Sequence, residues 1–482
     1  MNKQFRRVTT VILAMFVILM ASTTWIQGVE ADSLRQDPRN TRTTLAGYET
    51  QRGAILVAGE PVAQSVPSGD MYQFRREYPQ GELYAAVTGY FTIHQGRSGI
   101  EAAMNDELAG TSSSQFLEGL NRLITGQAPQ GDSVELTIDP VVQQAAWDAL
   151  GDYRGAIVAI EPATGRVLAM VSKPTFDPNA LTGGDAAQVQ AAYDALEADP
   201  EDPLFNRTIA GDLYHPGSTF KLVVSASALE TGQYTPDSTF PNPVQFPLPQ
   251  SSSFVMNASR TACGGGDEVT LENALVYSCN IPFAELGIDL GRQQIGETAR
   301  AFGFGQELSI PLEVTPSVWP VLVDDAQTAL ASFGQSDVRA TPLQMAMVSA
   351  GIANGGVVMR PQLVDSVIAP NLSERSAFTP EEWLTAVTPE VATEVADMMT
   401  QVVERADGTA HMAAIAGVDV AGKTGTAENG TGEPFTLWFT GFAPTENPEV
   451  AVAVVVEDGG AGTSYDLTAP MGKRVIEAVL NR

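Results

Sequence analysis

Three short groups of residues carry side chains that can do chemistry together. Ser218 and Lys221 stand three apart in Ser218-Thr219-Phe220-Lys221, behind the turn residues Pro216-Gly217 and at the head of an apolar run. On a helix, residues i and i+3 share a face, so this spacing makes them neighbours. A serine at a helix start lies near unpaired backbone N–H groups and the positive dipole end. A lysine one turn on, if desolvated, can take the hydroxyl proton. Ser278-Cys279-Asn280 adds a second hydroxyl and a carboxamide. Lys423-Thr424-Gly425-Thr426 adds a cation, two hydroxyls able to hold a carboxylate, and a glycine that lets another backbone approach a strand. A strand N–H there can serve an oxyanion hole. Each group alone is a weak pattern; S-x-x-K by itself reads as a capping serine beside a solvated lysine. Lysine is scarce, however, with five against 22 arginines, and only Lys221 has a serine three residues before it.

Composition narrows the chemistry further. The 482 residues carry a net charge of −30, which opposes binding to a phosphate backbone and argues against nucleic acid as a partner. Two cysteines and three scattered histidines (His94, His215, His411) leave no metal-ligand set, and no cofactor is expected. His215 reads as a loop residue rather than a catalytic one. Cys263 and Cys279 can form one disulfide or remain two thiols. Gly417 to Thr424 does fit the phosphate-loop pattern G-x-x-x-x-G-K-[ST]. That loop must open a helix, whereas the Gly- and Pro-rich run 425–434 cannot.

The elements that must position these groups follow from the pattern of apolar residues. Lys3, Arg6 and Arg7 precede an apolar run from Val8 to about Ile26, long enough for an uncleaved membrane anchor with the N-terminus cytoplasmic and the remainder outside. Residues 51–57 read as a short strand, 101–108 as a short helix, and Pro140–Leu150 as an amphipathic helix with Asp139 as its cap. Gly155–Ile160 and Arg166–Val171 flank a turn and predict a hairpin, as do Phe435–Phe442 and Val450–Val456. Helices are expected over 220–230, 342–352 and 471–480, and loops over 197–203 and 242–253. Strands early and late with helices between predict an α+β fold, an antiparallel sheet covered by helices. The expected division is an anchor (1–30), a non-catalytic module (31–150) and a catalytic domain (151–482).

The order S-x-x-K, S-x-N, K-T-G, separated by about 60 and 145 residues, is far more specific than any one piece. On these motifs the chain resembles the class B penicillin-binding proteins, most closely their short actinobacterial type. Asn206-Arg207, the approach Tyr214-His215-Pro216-Gly217, Thr341-Pro342-Leu343-Gln344 and Ala353-Asn354-Gly355-Gly356 are similar to further family signatures. In the front half, Arg52-Gly53, Gly99-Ile100-Glu101 and Leu136-Thr137-Ile138-Asp139 resemble boxes of the family's pedestal module. The resemblance implies the transpeptidase fold of the penicillin-binding and serine β-lactamase type. It implies a D,D-transpeptidase that cross-links peptidoglycan stem peptides in cell-wall synthesis, with roles in division and cell shape, and is trapped by β-lactams. Ser218 would be the acylated nucleophile, Lys221 its activator, Ser278 a proton relay and Asn280 a holder of the donor peptide. Lys423 would supply charge, and Thr424, Gly425 and Thr426 would line the substrate. The N–H groups of Ser218 and Thr426 would form the oxyanion hole. Cys279 departs from many relatives and would tether its loop to Cys263 if bridged. A membrane glycan-strand polymerase or another division or elongation protein is the expected partner of the front module. A D,D-carboxypeptidase and a catalytically silent scaffold are the alternatives.

Overall fold

The computed structural model describes residues 2–30, 34, 50–69, 72–92, 94–112, 115, 130–183, 185–211 and 213–482. Part of the expected front module, residues 35–49 and 116–129, therefore lies outside the described residues. The apolar N-terminal run forms one helix, Asn2–Gly28, long and apolar enough to cross a membrane.

The two predicted hairpins join into one sheet. Its order is Ala421–Ala427, Thr436–Ala443, Val450–Val456, Gly155–Ile160, Val167–Lys173, antiparallel throughout. The first and last hairpins meet where Val452 faces Ala159. Every residue of Val450–Val456 is buried. Helices cover both faces, so the strand reads as an unbroken apolar run rather than an alternating one. Pro342–Ala353 packs on one face, and Thr468–Leu480 with Pro140–Leu150 on the other. Beyond the sheet edge, the helix Lys221–Glu230 is buried from Lys221 to Leu229 and packs against Ile281–Ala301 and Pro389–Glu404.

Asp139 caps its helix as expected, accepting from the N–H groups of Val141 and Val142 at 2.9 and 3.2 Å. That helix was expected in the front module. It buries Val142, Ala146, Ala149 and Leu150 against the five-stranded sheet and the C-terminal helix, and the boundary expected at residue 150 falls at its end. A second sheet crosses that boundary. Its order is Glu374–Ala377, Val364–Ile368, Ser133–Leu136, Ile55–Val57, Glu60–Pro67, Phe74–Glu77. Two of its six strands, Val364–Ile368 and Glu374–Ala377, lie in sequence between strands of the five-stranded sheet. The expected helix over 101–108 is two short ones, Gly99–Ala103 and Asn105–Leu108. The expected loop over 242–253 contains a short strand, Gln245–Pro247, paired with Phe254–Met256.

The front sheet is organised by a buried charge cluster. Glu101 is fully buried and pairs with Arg52 Nε at 2.6 Å and Arg76 Nε at 2.5 Å. Arg52 also donates to the Glu101 carbonyl (2.6 Å) and Asn105 Oδ1 (3.0 Å), and Arg76 to the Gly53 carbonyl (2.8 Å). Burial would raise the Glu101 pKa, but Arg76 and Arg52 outweigh it and hold the carboxyl ionised, below its ordinary value. Removing one member of such a set leaves buried charge unpaired. Glu101→Ala is therefore expected to cost about 3–5 kcal/mol, read as a drop in the denaturation midpoint. A loss under about 1 kcal/mol would mean that water reaches the two guanidinium groups.

Candidate active site

Ser218 lies in a 3-10 turn, Gly217–Phe220, that runs straight into Lys221–Glu230. Gly217 has φ +54°, a conformation that favours glycine, and its N–H donates to the Gly334 carbonyl at 3.0 Å. The turn sits against the strand Ala421–Ala427, which is an edge of the sheet. Gly425 is what permits this approach. A Cβ there would lie 2.9 Å from the Pro216 carbonyl oxygen and 3.0 Å from Thr219 Cγ2.

Lys221 and Lys423 are both fully buried. Lys221 Nζ donates to the Ser278 carbonyl at 2.8 Å and Asn280 Oδ1 at 2.9 Å, with Ser278 Oγ at 3.4 Å. Lys423 Nζ donates to Ser278 Oγ at 2.8 Å and the Thr424 carbonyl at 2.8 Å. Among the described residues neither lysine has a carboxylate partner. Burial, and then the charge of Lys423, push the Lys221 pKa well below its usual value. Burial alone brings Lys423 down to about 7. The three motifs thus meet at one hydroxyl, Ser278 Oγ. Ser278 itself has φ +56°, unusual outside glycine, where the chain turns from Leu271–Val276 into Ile281–Ala301.

The expected i, i+3 pair differs in one respect. Lys221 directs its donors to the Ser278-Cys279-Asn280 turn, and among the described residues Ser218 Oγ has no hydrogen-bond partner. An ammonium with three protons takes the strongest acceptors in reach, here a carbonyl and a carboxamide oxygen. Catalytic hydrogen bonds are often loose without substrate. Asn280 is also committed at both ends, because its Nδ2 donates to the Met256 carbonyl at 3.0 Å. Thr424 is buried and its hydroxyl donates to the Thr409 carbonyl at 3.2 Å, whereas Thr426 is exposed and its hydroxyl lies 2.9 Å from Ser464 Oγ. Ser464 also donates to the Gly425 carbonyl at 2.6 Å. Sequence reading missed Ser464, Thr409, Gly334 and Asn257; none sits in a recognisable motif, and only the fold brings them here. Cys263 and Cys279 form a disulfide. His215 lies in a loop, its carbonyl accepting from Trp438 Nε1 at 2.9 Å and its ring beside Arg339.

These features coincide with matches to known proteins. A family model described as the penicillin binding protein transpeptidase domain matches residues 155–477, and one described as the penicillin binding protein A dimerisation domain matches 52–134. The chain belongs to the penicillin-binding protein transpeptidase family. Within it, the peptidoglycan D,D-transpeptidase PbpA of Mycolicibacterium smegmatis is 42% identical over all of this chain and 99% of its own length. The namesake from Mycobacterium tuberculosis is 39% identical over the same shares. A solved structure of penicillin-binding protein A from M. tuberculosis as a ceftriaxone acyl-enzyme complex superimposes with a TM-score of 0.87 at 38% identity, over 90% of this chain and all of that one.

The buried lysines have a measurable cost. An unfolded lysine holds its proton up to its ordinary value of 10.5, whereas folded Lys423 releases it near 7. The unfolded state therefore binds more protons between those values, and stability rises with pH across that window. Denaturation midpoints measured from pH 7 to pH 9 should climb, and more steeply than in Lys423→Met. Equal slopes would mean Lys423 keeps its proton when folded.

Proposed function

We propose that this chain is a membrane-anchored, serine-type D,D-transpeptidase of peptidoglycan, working through an acyl-enzyme on Ser218. The observation that carries the reading is the convergence of two buried lysines on Ser278, beside the Ser218 turn and an open sheet edge. A donor stem peptide would lie along the edge strand Ala421–Ala427, using its unpaired N–H and C=O groups. Ser218 Oγ then attacks the carbonyl of the penultimate D-Ala, and its proton passes to neutral Lys221. The N–H groups of Ser218 and Thr426 hold the oxyanion. Collapse breaks the peptide bond, forms the ester and expels the terminal D-Ala, whose amine takes a proton relayed through Ser278. Lys423 and Thr426 face the terminal carboxylate. An amine from a neighbouring stem peptide attacks the ester, forms the cross-link and returns the hydroxyl to Ser218.

A β-lactam presents a similar carbonyl but keeps its leaving group tethered, so the acyl group stays on the serine. The N-terminal helix would hold the enzyme in the membrane with its N-terminus cytoplasmic and the catalytic part outside. The front module would dock a partner such as a glycan-strand polymerase.

Intact mass of the purified chain with and without a penicillin tests the chemistry. One adduct is expected on wild type and none on Ser218→Ala. Lys221→Arg keeps the charge but cannot act as a base, and acylation should fall at least about a hundredfold. No adduct on folded wild type would favour a silent scaffold. An adduct combined with hydrolysis of stem peptides and no transfer would favour a carboxypeptidase.

A further inference from the structure

The helix Ile281–Ala301 begins at the second motif, and its first N–H groups are satisfied from an unusual source. An Asn just before a helix ordinarily turns its side-chain oxygen back onto an N–H of the first turn. Asn280 stands in that place but makes no such bond. Its Oδ1 accepts from Lys221 Nζ and its Nδ2 donates to the Met256 carbonyl. Asn257 instead holds the backbone at this point. Its Oδ1 takes the Asn280 N–H at 2.8 Å and the Ile281 N–H at 3.2 Å. Asn257 is 3% exposed. It is held in its own tight turn, with Nδ2 donating to the Thr261 carbonyl at 3.1 Å and its carbonyl accepting from the Arg260 N–H at 2.8 Å. The segment carrying it is pinned on both sides, by the strand pair Phe254–Met256 with Gln245–Pro247 and by the Cys263–Cys279 disulfide.

We propose that Asn257 is a positioning residue for acyl transfer, one that holds the Asn280 backbone at the helix start so that the Asn280 carboxamide meets Lys221. The inference rests on the acyl-transfer reading and extends it to a residue outside all three motifs. A buried N–H left without an acceptor costs free energy. Without the Asn257 oxygen, the N–H groups of Asn280 and Ile281 lose their acceptor and the Asn280 backbone is no longer held, so its carboxamide shifts off Lys221. Lys221 then loses one of its two close acceptors, and its Nζ is no longer fixed relative to Ser218 and Ser278.

The test is a double-mutant cycle on the full chain in detergent, reading the second-order rate of acylation by a fluorescent penicillin together with the melting temperature. Asn257→Ala is expected to slow acylation about tenfold or more. Asn257→Asp, which keeps an acceptor oxygen, should recover most of that loss. In an Asn280→Ala background, Asn257→Ala should cost less than about threefold, because the residue it acts through is gone. Equal losses from Asn257→Ala in both backgrounds would overturn the proposal, as would a fall in melting temperature with an unchanged rate for the folded fraction. Wild type serves as the control: if it fails to acylate, the functional reading falls and this one with it, whereas acylation unaffected by Asn257→Ala sinks this inference alone.

Discussion

Two amine-bearing side chains packed around a single serine hydroxyl, with no carboxylate among the described residues to neutralise them, set the terms for the rest of this molecule. Burying one unpaired charge is expensive, and two of like sign raise the expense further. The site meets this by surrounding Nζ atoms with oxygens that carry no formal charge: the Ser278 and Thr424 carbonyls, the Asn280 carboxamide and the Ser278 hydroxyl. A carboxylate in their place would hold the lysines protonated and useless as bases. Neutral acceptors leave the protons loosely held, which is the condition for a lysine to work near neutral pH.

Holding neutral acceptors in place demands a rigid frame, and three separate parts of the chain supply it. The nucleophile turn rides on a helix buried between two others. The Ser278-Cys279-Asn280 turn is clamped by Met256, Asn257 and Cys263. The strand Ala421–Ala427 is fixed by pairing with Thr436–Ala443, Lys423 facing Thr440 and Gly425 facing Trp438. Glycine at 425 lets the first and third parts touch.

The sheet strands and the main helices were legible in the sequence because their apolar periods are strong and local. The first and third motifs were legible because lysine is so rare that Lys221 and Lys423 stand out, and the second because it falls between them in order. What stayed hidden depends on contacts between distant segments. Nothing in Pro140–Leu150 marks it as a partner of Thr468–Leu480, since an amphipathic face does not say what it faces. Asn257 and Ser464 are single polar residues in loops, and only the fold shows that one oxygen ends at Asn280 and the other at Thr426. The choice of Lys221 for the second motif over Ser218 is likewise a matter of three-dimensional reach.

The six-stranded sheet ties distant stretches of the chain together. Val364–Ile368 pairs on one side with Ser133–Leu136 and on the other with Glu374–Ala377, so a catalytic half severed from the front would bare a row of backbone groups along a strand evolved to be covered. Recombination that swapped in a different front half would have to bring a matching strand with it. The residues before 137 and those after 363 therefore share one hydrogen-bonded ladder, and a cut between them would leave a strand edge ready to pair with another chain, however cleanly the chain divides when its residues are read in order.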